Sequence, residues 1–362
     1  MNVAFLKKTA RYFPPPQFLM RPSAGVDISD RSVKVLALKP TATGYEVDFF
    51  GERLIEKGVV VEGKIEKPDA LVKVLRTLKH AYKLDTVRVS LPEEHAFLFE
   101  THVVAGGGKE DMRAAVEFQI QEHIPIDLQD LIFDFDVTKS MSAERIEISV
   151  TAFQKTLVHS YLDVFFKAGF SVLSLEIEAQ AIARAAVSPQ NSDTNFIIDF
   201  GRERSGIAIT RGNVPVLTTT IAVGGSALST AVMKHFKVDE REAEKIKNEQ
   251  GFLRAKGSEE LYESLMSTIS ALKDEVGKHI NYWQARERDR GSGAGMIDAI
   301  LLVGGNGNLK GLPEYLSASL RVPVRRANIW QNVTSFDNYI PPINKEHSLG
   351  YATAVGLALS SE

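Results

Sequence analysis

The strongest constraint in this sequence is a pattern that occurs twice. AGVDISDRSVKVLAL, Ala24 to Leu38, runs apolar residues into an acid, Asp27, turns through Ser29-Asp30-Arg31-Ser32, and leaves as the alternation Val33 to Leu38. FIIDFGRERSGIAIT, Phe196 to Thr210, does the same around Asp199, about half a chain later. Each acid is followed within two residues by Ser29 or Gly201. An acid at one hairpin tip has an ordinary cause, because Asp and Ser side chains bond nearby backbone groups in turns. Two copies point instead to one supersecondary unit used twice, with the copies facing each other across a cleft.

Such a cleft has a definite chemistry. Tight turns present backbone N–H groups in a concave nest, and a nest binds phosphate. Two opposed hairpins can hold a polyphosphate from both sides. Two carboxylates in one cleft repel each other and the phosphates unless a hard cation lies between them. Mg²⁺ meets that need, keeping several waters and touching phosphate oxygens. Lys34 lies on the strand returning from Asp27, where alternation can direct it to the same mouth as a counter-charge.

Two glycine-rich segments add to this. AILLVGGNGNLKGLPEYL, Ala299 to Leu316, reads as a buried strand, a turn and a helix start. Gly304 and Gly305 would let backbone approach a flat ring or a phosphate closely. In VGGSALSTAVM, Gly224-Gly225 opens a helix whose N-terminus suits an anion or a sugar.

The chain has 362 residues, more than one core usually supports, so two domains or subdomains are expected. A net charge of −3, from 43 basic and 46 acidic residues, argues against a nucleic-acid partner. There are no cysteines, which excludes disulfides and thiolate metal sites. No apolar run approaches the roughly 18 residues of a membrane span. Prolines follow Lys7 and Lys8 where a signal peptide would be apolar, so the expectation is cytoplasmic.

Residues 1–23 read as a basic, aromatic tail with Pro14-Pro15-Pro16 at its middle, either a free tail or a peripheral contact for an anionic membrane face or a partner. After the first hairpin come strands at Tyr45–Phe50 and Glu52–Ile55, a helix at Pro68–Tyr82 and a strand at Thr86–Leu91. A separable α+β block, about 92–174, holds a strand (Phe97–Val104), the Gly106-Gly107-Gly108 loop, a helix (Glu110–His123), two strands and the helix Lys155–Ala168. A helix at Glu178–Ala186 precedes the second hairpin. The later part holds a charged helix (Asp239–Asn248), a long helix from Ser258 to about Arg288, the loop Gly291–Gly295 and a final helix from Ser348 to Leu359.

In this order the hairpins and glycine turns resemble the actin-like ATPase superfamily, which includes actin, the Hsp70 ATPase domain, sugar kinases and the division protein FtsA. The resemblance implies an α/β, ribonuclease H-like duplicated fold, with two lobes around a nucleotide cleft and an inserted FtsA-like α+β subdomain. It implies that Asp27, Ser29, Ser32 and Lys34 form the first phosphate loop, and that Asp199, Gly201 and Ser205 form the second. Gly304, Gly305 and Asn306 would be the adenosine motif, with Gly224 and Gly225 beside it. ATP or ADP with Mg²⁺ is the implied ligand, the metal held by Asp27 and Asp199 through water. Glu178 resembles the connecting-helix acid near the metal-bound water, the catalytic candidate; its other reading is a helix-start acid. Glu275 and Lys278 stand where relatives place adenine contacts, or form an exposed ion pair.

A narrower resemblance is to the PilM family of type IV pilus assembly proteins. It is carried by Gly25-Val26-Asp27-Ile28-Ser29 with Val33-Lys34, by MRAAVEFQIQEHIPIDLQDLIFDFDV (Met112–Val137) and by LGYATAVGLAL (Leu349–Leu359). It spans nearly all of 24–362. It implies a first-lobe core at 24–91, completed by 175–190 and 345–362, an insertion at 92–174, and a second lobe at 191–344 with a smaller part at about 238–295. It also implies a cytoplasmic ATP-binding protein at the inner face of the plasma membrane, in the platform that builds pili. Its expected partners are other platform proteins and the N-terminal cytoplasmic peptide of a PilN-like inner-membrane protein, bound beside the insertion.

The phosphate loops depart from the superfamily pattern. Ser29 stands where many members have Gly, Asp30-Arg31 puts a charged pair into the first loop, and Arg202-Glu203-Arg204 replaces small residues in the second. Weak or no hydrolysis is therefore expected, since fast turnover needs a well-held water and base. The alternatives are an active ATPase or kinase, and a membrane-associated filament former like FtsA. No zinc-protease, serine-hydrolase or Walker A motif is present.

Overall fold

The computed structural model describes residues 23–360 apart from 105–108, 141–144, 255–256 and 292–294. The readings of the N-terminal tail and of the Gly106-Gly107-Gly108 loop fall outside the described residues, as does the middle of Gly291–Gly295.

The chain begins with β1 (Ala24–Ile28), β2 (Ser32–Thr41), β3 (Gly44–Leu54), the short pair β4 (Val60–Val61) and β5 (Lys64–Ile65), α1 (Pro68–Tyr82) and β6 (Thr86–Leu91). Next come β7 (Phe97–Val104), α2 (Lys109–His123), β8 (Leu131–Ser140), β9 (Arg145–Gln154), α3 (Lys155–Ala168), β10 (Ser171–Ile177) and α4 (Glu178–Ala186). The remainder is β11 (Thr194–Phe200), β12 (Ser205–Arg211), β13 (Val214–Ile221), α5 (Gly225–Phe236), α6 (Glu240–Gln250), α7 (Glu259–Asp289), β14 (Ala299–Val303), α8 (Leu312–Leu320), β15 (Val324–Arg326), α9 (Lys345–Ser348) and α10 (Ala352–Ala358).

Two five-stranded sheets repeat one topology. The first runs β10-β6-β1-β2-β3 and the second β13-β12-β11-β14-β15. In each, an antiparallel meander (β1–β3 or β11–β13) adds a parallel strand beside its first member, then another beyond it. All five residues of β1 and all five of β14 are buried, because helices cover both faces where strands run parallel. Two apolar cores hold the sheets, and the first also takes in Ile197, Ala208 and Leu301 from one face of the second sheet. The first core gathers Val26, Leu36, Leu75 and Val355, the second Phe196, Ile207, Leu272 and Trp283.

α1 shows how the local sequence sets an element. Pro68 needs no N–H partner in the first turn, Leu71, Val72, Leu75 and Leu78 are buried, and Lys83 ends the helix at φ 53°. In the second lobe, α7 buries Leu261, Leu265, Ile269, Leu272, Val276, Ile280 and Trp283 on one stripe against its own domain.

The inserted sheet, β7-β9-β8, packs one face on α2 through Val103, Val116, Ile120, Ile148 and Val150. Its other face meets the second lobe. Glu100 has a fully buried side chain and pairs with Arg211 (3.1 Å), Arg286 (2.8 Å) and Arg290 (2.7 Å). Glu147 joins Arg211 at 2.9 Å, and the Ser149 hydroxyl donates to the Pro215 carbonyl at 2.7 Å.

Three local expectations need correction. Tyr45–Phe50 and Glu52–Ile55 form one strand, β3, paired along β2. Gly51 is no turn: a Cβ there would lie 1.9 Å from the Tyr82 hydroxyl, so glycine admits that ring against a continuous strand. The helix Lys155–Ala168, taken with the insertion on sequence, buries Val158, Tyr161, Val164 and Phe165 in the first core, and the strand that follows it, β10, joins the first sheet. The closing helix is broken. α9, a 3₁₀ turn at Leu349–Tyr351 and α10 replace one continuous run, and the Leu349 carbonyl accepts from the Gly304 N–H at 3.0 Å.

Candidate nucleotide cleft

Both hairpin tips open on one cavity of about 660 Å³ between the lobes. Asp27 and Lys34 are direct partners in the β1–β2 ladder, so alternation does bring the ammonium to the acid's mouth. Asp27 accepts from the Ser90 hydroxyl at 3.0 Å. The Lys34 ammonium lies 5.9 Å from the Tyr351 ring centre, a cation–π contact. Ser29 closes its own turn: its hydroxyl accepts from the Ser32 N–H at 3.1 Å and donates to the Ser32 carbonyl at 3.1 Å.

Asp199 leaves the second sheet at the end of β11, beside Val303 of β14. Gly304 follows at φ +79°, and a Cβ there would stand 2.3 Å from Asp199 Oδ1. Only glycine fits that turn. Asn306 donates to the Gly201 carbonyl at 2.9 Å and accepts from Lys247 at 3.1 Å, so it ties the Gly304-Gly305 turn to the second hairpin.

Of the residues singled out on sequence, Asp27, Ser29, Ser32, Lys34, Glu178, Asp199, Gly201, Gly225, Gly304, Gly305 and Asn306 line this cavity. Four do not. The Ser205 hydroxyl is spent on the Val223 carbonyl at 2.6 Å. Gly224 caps α5, where a Cβ would stand 2.5 Å from the Arg202 carbonyl oxygen. Glu275 and Lys278 form an exposed ion pair at 2.6 Å on α7, away from the cavity.

The pair that does line the cavity is Glu244 and Lys247 on α6, with the same spacing. The Lys247 ammonium bonds Glu244 at 2.8 Å and the Ser229 hydroxyl at 3.2 Å, and its side chain is only 3% exposed. On sequence the two E-x-x-K pairs are equivalent. The nearby Gly224-Gly225 helix start, which α6 packs against as part of α5, is the signal that favours the first of them.

A second omission is Glu93, in the turn after β6. It is 6% exposed, and a Cβ on Gly206 would lie 2.1 Å from its Oε1, so it reaches the second hairpin from the first lobe. Its signal was positional: an acid just after the apolar strand that lies parallel to β1.

Four carboxyls thus gather behind or along the cleft, and all are held above the usual range. Burial pushes Asp199 up to about 6, Asp27 adds to the push and Lys34 opposes it. Burial also raises Asp27, against the pull of Lys34 and the Ser90 bond. Glu178 and Glu93 are raised well above it, by burial first and then by neighbouring acids. Among the described residues no three His, Cys, Asp or Glu side chains stand close enough to form a metal cage. Asp27 and Asp199 are the carboxylates of the two hairpin tips that could meet a hydrated hard cation in this cavity.

The family model for the type IV pilus assembly protein PilM matches residues 25–362. The chain belongs to the PilM family. Solved structures agree on its actin-like fold. A PilM–PilN type IV pilus biogenesis complex is 20% identical, with 94% of this chain and 98% of that one covered and a TM-score of 0.76. The ethanolamine utilization protein EutJ from Carboxydothermus hydrogenoformans is 17% identical, covering 96% and 90%, at 0.56. MreB5 of Spiroplasma citri bound to ADP is 14% identical, covering 93% and 95%, also at 0.56. In this PilM-family chain the duplicated sheets and the shared cavity are the features that express that fold. Among the described residues no helix is long and apolar enough to cross a membrane.

Proposed function

We propose that this PilM-family protein binds Mg-ATP, or Mg-ADP, between its lobes and uses that state to set its affinity for a pilus-platform partner. One observation carries the reading: Asp27 and Asp199, from equivalent turns of two copied sheets, line a single cavity, with Lys34 across the ladder from Asp27 and buried acids around them. A hydrated Mg²⁺ between the two aspartates would supply the missing positive charge. Lys34, the Ser29–Ser32 turn and Gly201 would meet the phosphates, and Asn306, Gly304, Glu244 and Lys247 the nucleoside. Glu178 is the candidate for orienting water. Burial and the neighbouring acids disfavour its charged form.

The proposed partner is the cytoplasmic N-terminal peptide of a PilN-like inner-membrane protein, docked beside the insertion at the cytoplasmic face of the membrane. β8 is an edge strand of the inserted sheet, and Ile132 on it and Phe118 on α2 are exposed apolar side chains. An edge strand can accept an extended peptide. Nucleotide shifts partner affinity only by as much as it prefers one lobe arrangement.

Calorimetry with a synthetic peptide of a PilN N-terminus tests this reading. Phe118→Ala should weaken peptide binding at least tenfold and leave Mg-ATP affinity unchanged. Equal loss of both would end the proposed division of labour, and rapid acceptor-stimulated phosphate release would replace the scaffold with an enzyme.

A further inference from the structure

The charged residues that set the two hairpin turns apart from their superfamily meet each other across the lobes. Arg204, in the β11–β12 turn, donates to Asp30 in the β1–β2 turn through both terminal nitrogens, at 2.8 and 3.2 Å. The same guanidinium is ion-paired with Glu94, in the turn after β6. Arg31 faces Glu203 at 3.9 Å. Asp30-Arg31 and Glu203-Arg204 therefore cross acid to base in both directions.

The main contact is sheltered and braced. Arg204, Asp30 and Glu94 side chains are 24%, 14% and 15% exposed. Asp30 also accepts from the Glu62 and Gly63 N–H groups of the β4–β5 turn, at 3.3 and 3.2 Å. The Gly63 carbonyl in turn accepts from the buried Tyr161 hydroxyl at 2.8 Å. One end of the contact is thus fixed to the first core and the other to the second hairpin. Bidentate arginine–carboxylate geometry of this kind is among the stronger protein hydrogen bonds.

We propose that Arg204, held by Asp30 and Glu94, is an interlobe latch that keeps the two hairpin turns together, so that the lobes part by breaking it. The inference concerns the lobes themselves and does not rest on nucleotide binding. It gives a role to the charged pair in each turn, Asp30-Arg31 and Glu203-Arg204. Arg202, the remaining charge of that run, pairs with Glu240 inside its own lobe and takes no part.

The absence of native cysteine makes the test direct. Spin labels at Arg53→Cys and Glu249→Cys sit on exposed neighbours of Leu54 and Asn248, which line the cleft from opposite lobes. Pulsed dipolar spectroscopy on the full chain, with no nucleotide added, should give one narrow distance. Arg204→Ala and Asp30→Asn should each raise the open-to-closed ratio about tenfold, seen as a second, longer distance; that is about 1.4 kcal/mol. Arg202→Ala should keep the original distribution. Unchanged distances in Arg204→Ala and Asp30→Asn would overturn the latch, as would an equal broadening in Arg202→Ala.

Discussion

The two hairpins share a topology and differ in the residue that faces the acid. Across the ladder from Asp27 stands Lys34; across from Asp199 stands Gly206. The first hairpin carries its own counter-charge. The second leaves a space, and Glu93 of the first lobe fills it with another carboxylate. A duplicated backbone has thus kept its geometry while its chemistry diverged. Burial first, and Asp27 across the cleft second, push Asp199 up to about 6.

The largest effect should come from removing the cation that faces Asp27 across the ladder. Lys34→Met leaves Asp27 buried beside other acids without its partner, a loss of about 3 kcal/mol in urea unfolding at pH 7. Burial already raises Asp27, so the loss should shrink as pH falls and that carboxyl takes up a proton. A loss that does not depend on pH would mean that Lys34 acts by packing alone.

The opposite sign is expected at the second acid. Asp199 has a folded value of about 6 against the usual 3.8, so the native state holds this proton more tightly than the unfolded chain does. Its contribution to stability is present below about pH 4 and is lost as pH rises to about 6. Asp199→Asn should remove that loss, raising stability at pH 7 by roughly 2–3 kcal/mol while weakening Mg-nucleotide binding. Thermal unfolding across pH 4–7 checks it. A destabilised Asp199→Asn at pH 7 would contradict the charge asymmetry.

Gly206→Ala probes the borrowed carboxylate. Its Cβ would collide with Glu93 Oε1, for a cost of about 1–3 kcal/mol, and Glu93→Ala in the same chain should recover most of it. Additive losses would put the two residues out of contact. The smallest effect belongs to Lys278→Ala, whose exposed pair should leave the urea midpoint and Mg-ATP affinity at wild-type values. The same change at Lys247, under Asn306, should weaken both.

The duplicated hairpins were legible in sequence because a strand's alternation and a turn's polar residues are local signals. So were α1 and α7, whose apolar stripes are read from one segment each. What stayed hidden depends on contacts between distant segments. Nothing near Tyr161 says that its ring packs in the first core rather than in the insertion. Glu275-Lys278 and Glu244-Lys247 are the same words in the sequence, and only the packing of α6 on α5 separates them. Ser205 has the right turn position, but the Val223 carbonyl claims its hydroxyl. The Asp30 and Arg204 charges read on sequence only as departures from the superfamily pattern, and the fold sets them face to face.

Metal-dependent calorimetry is the most direct test of the twin-aspartate cleft. The account predicts one nucleotide per chain in the presence of Mg²⁺, weak binding in chelator, and at least a tenfold loss of Mg-ADP affinity in Asp27→Asn and Asp199→Asn alike. Both variants binding Mg-ADP as tightly as the unaltered protein would contradict it.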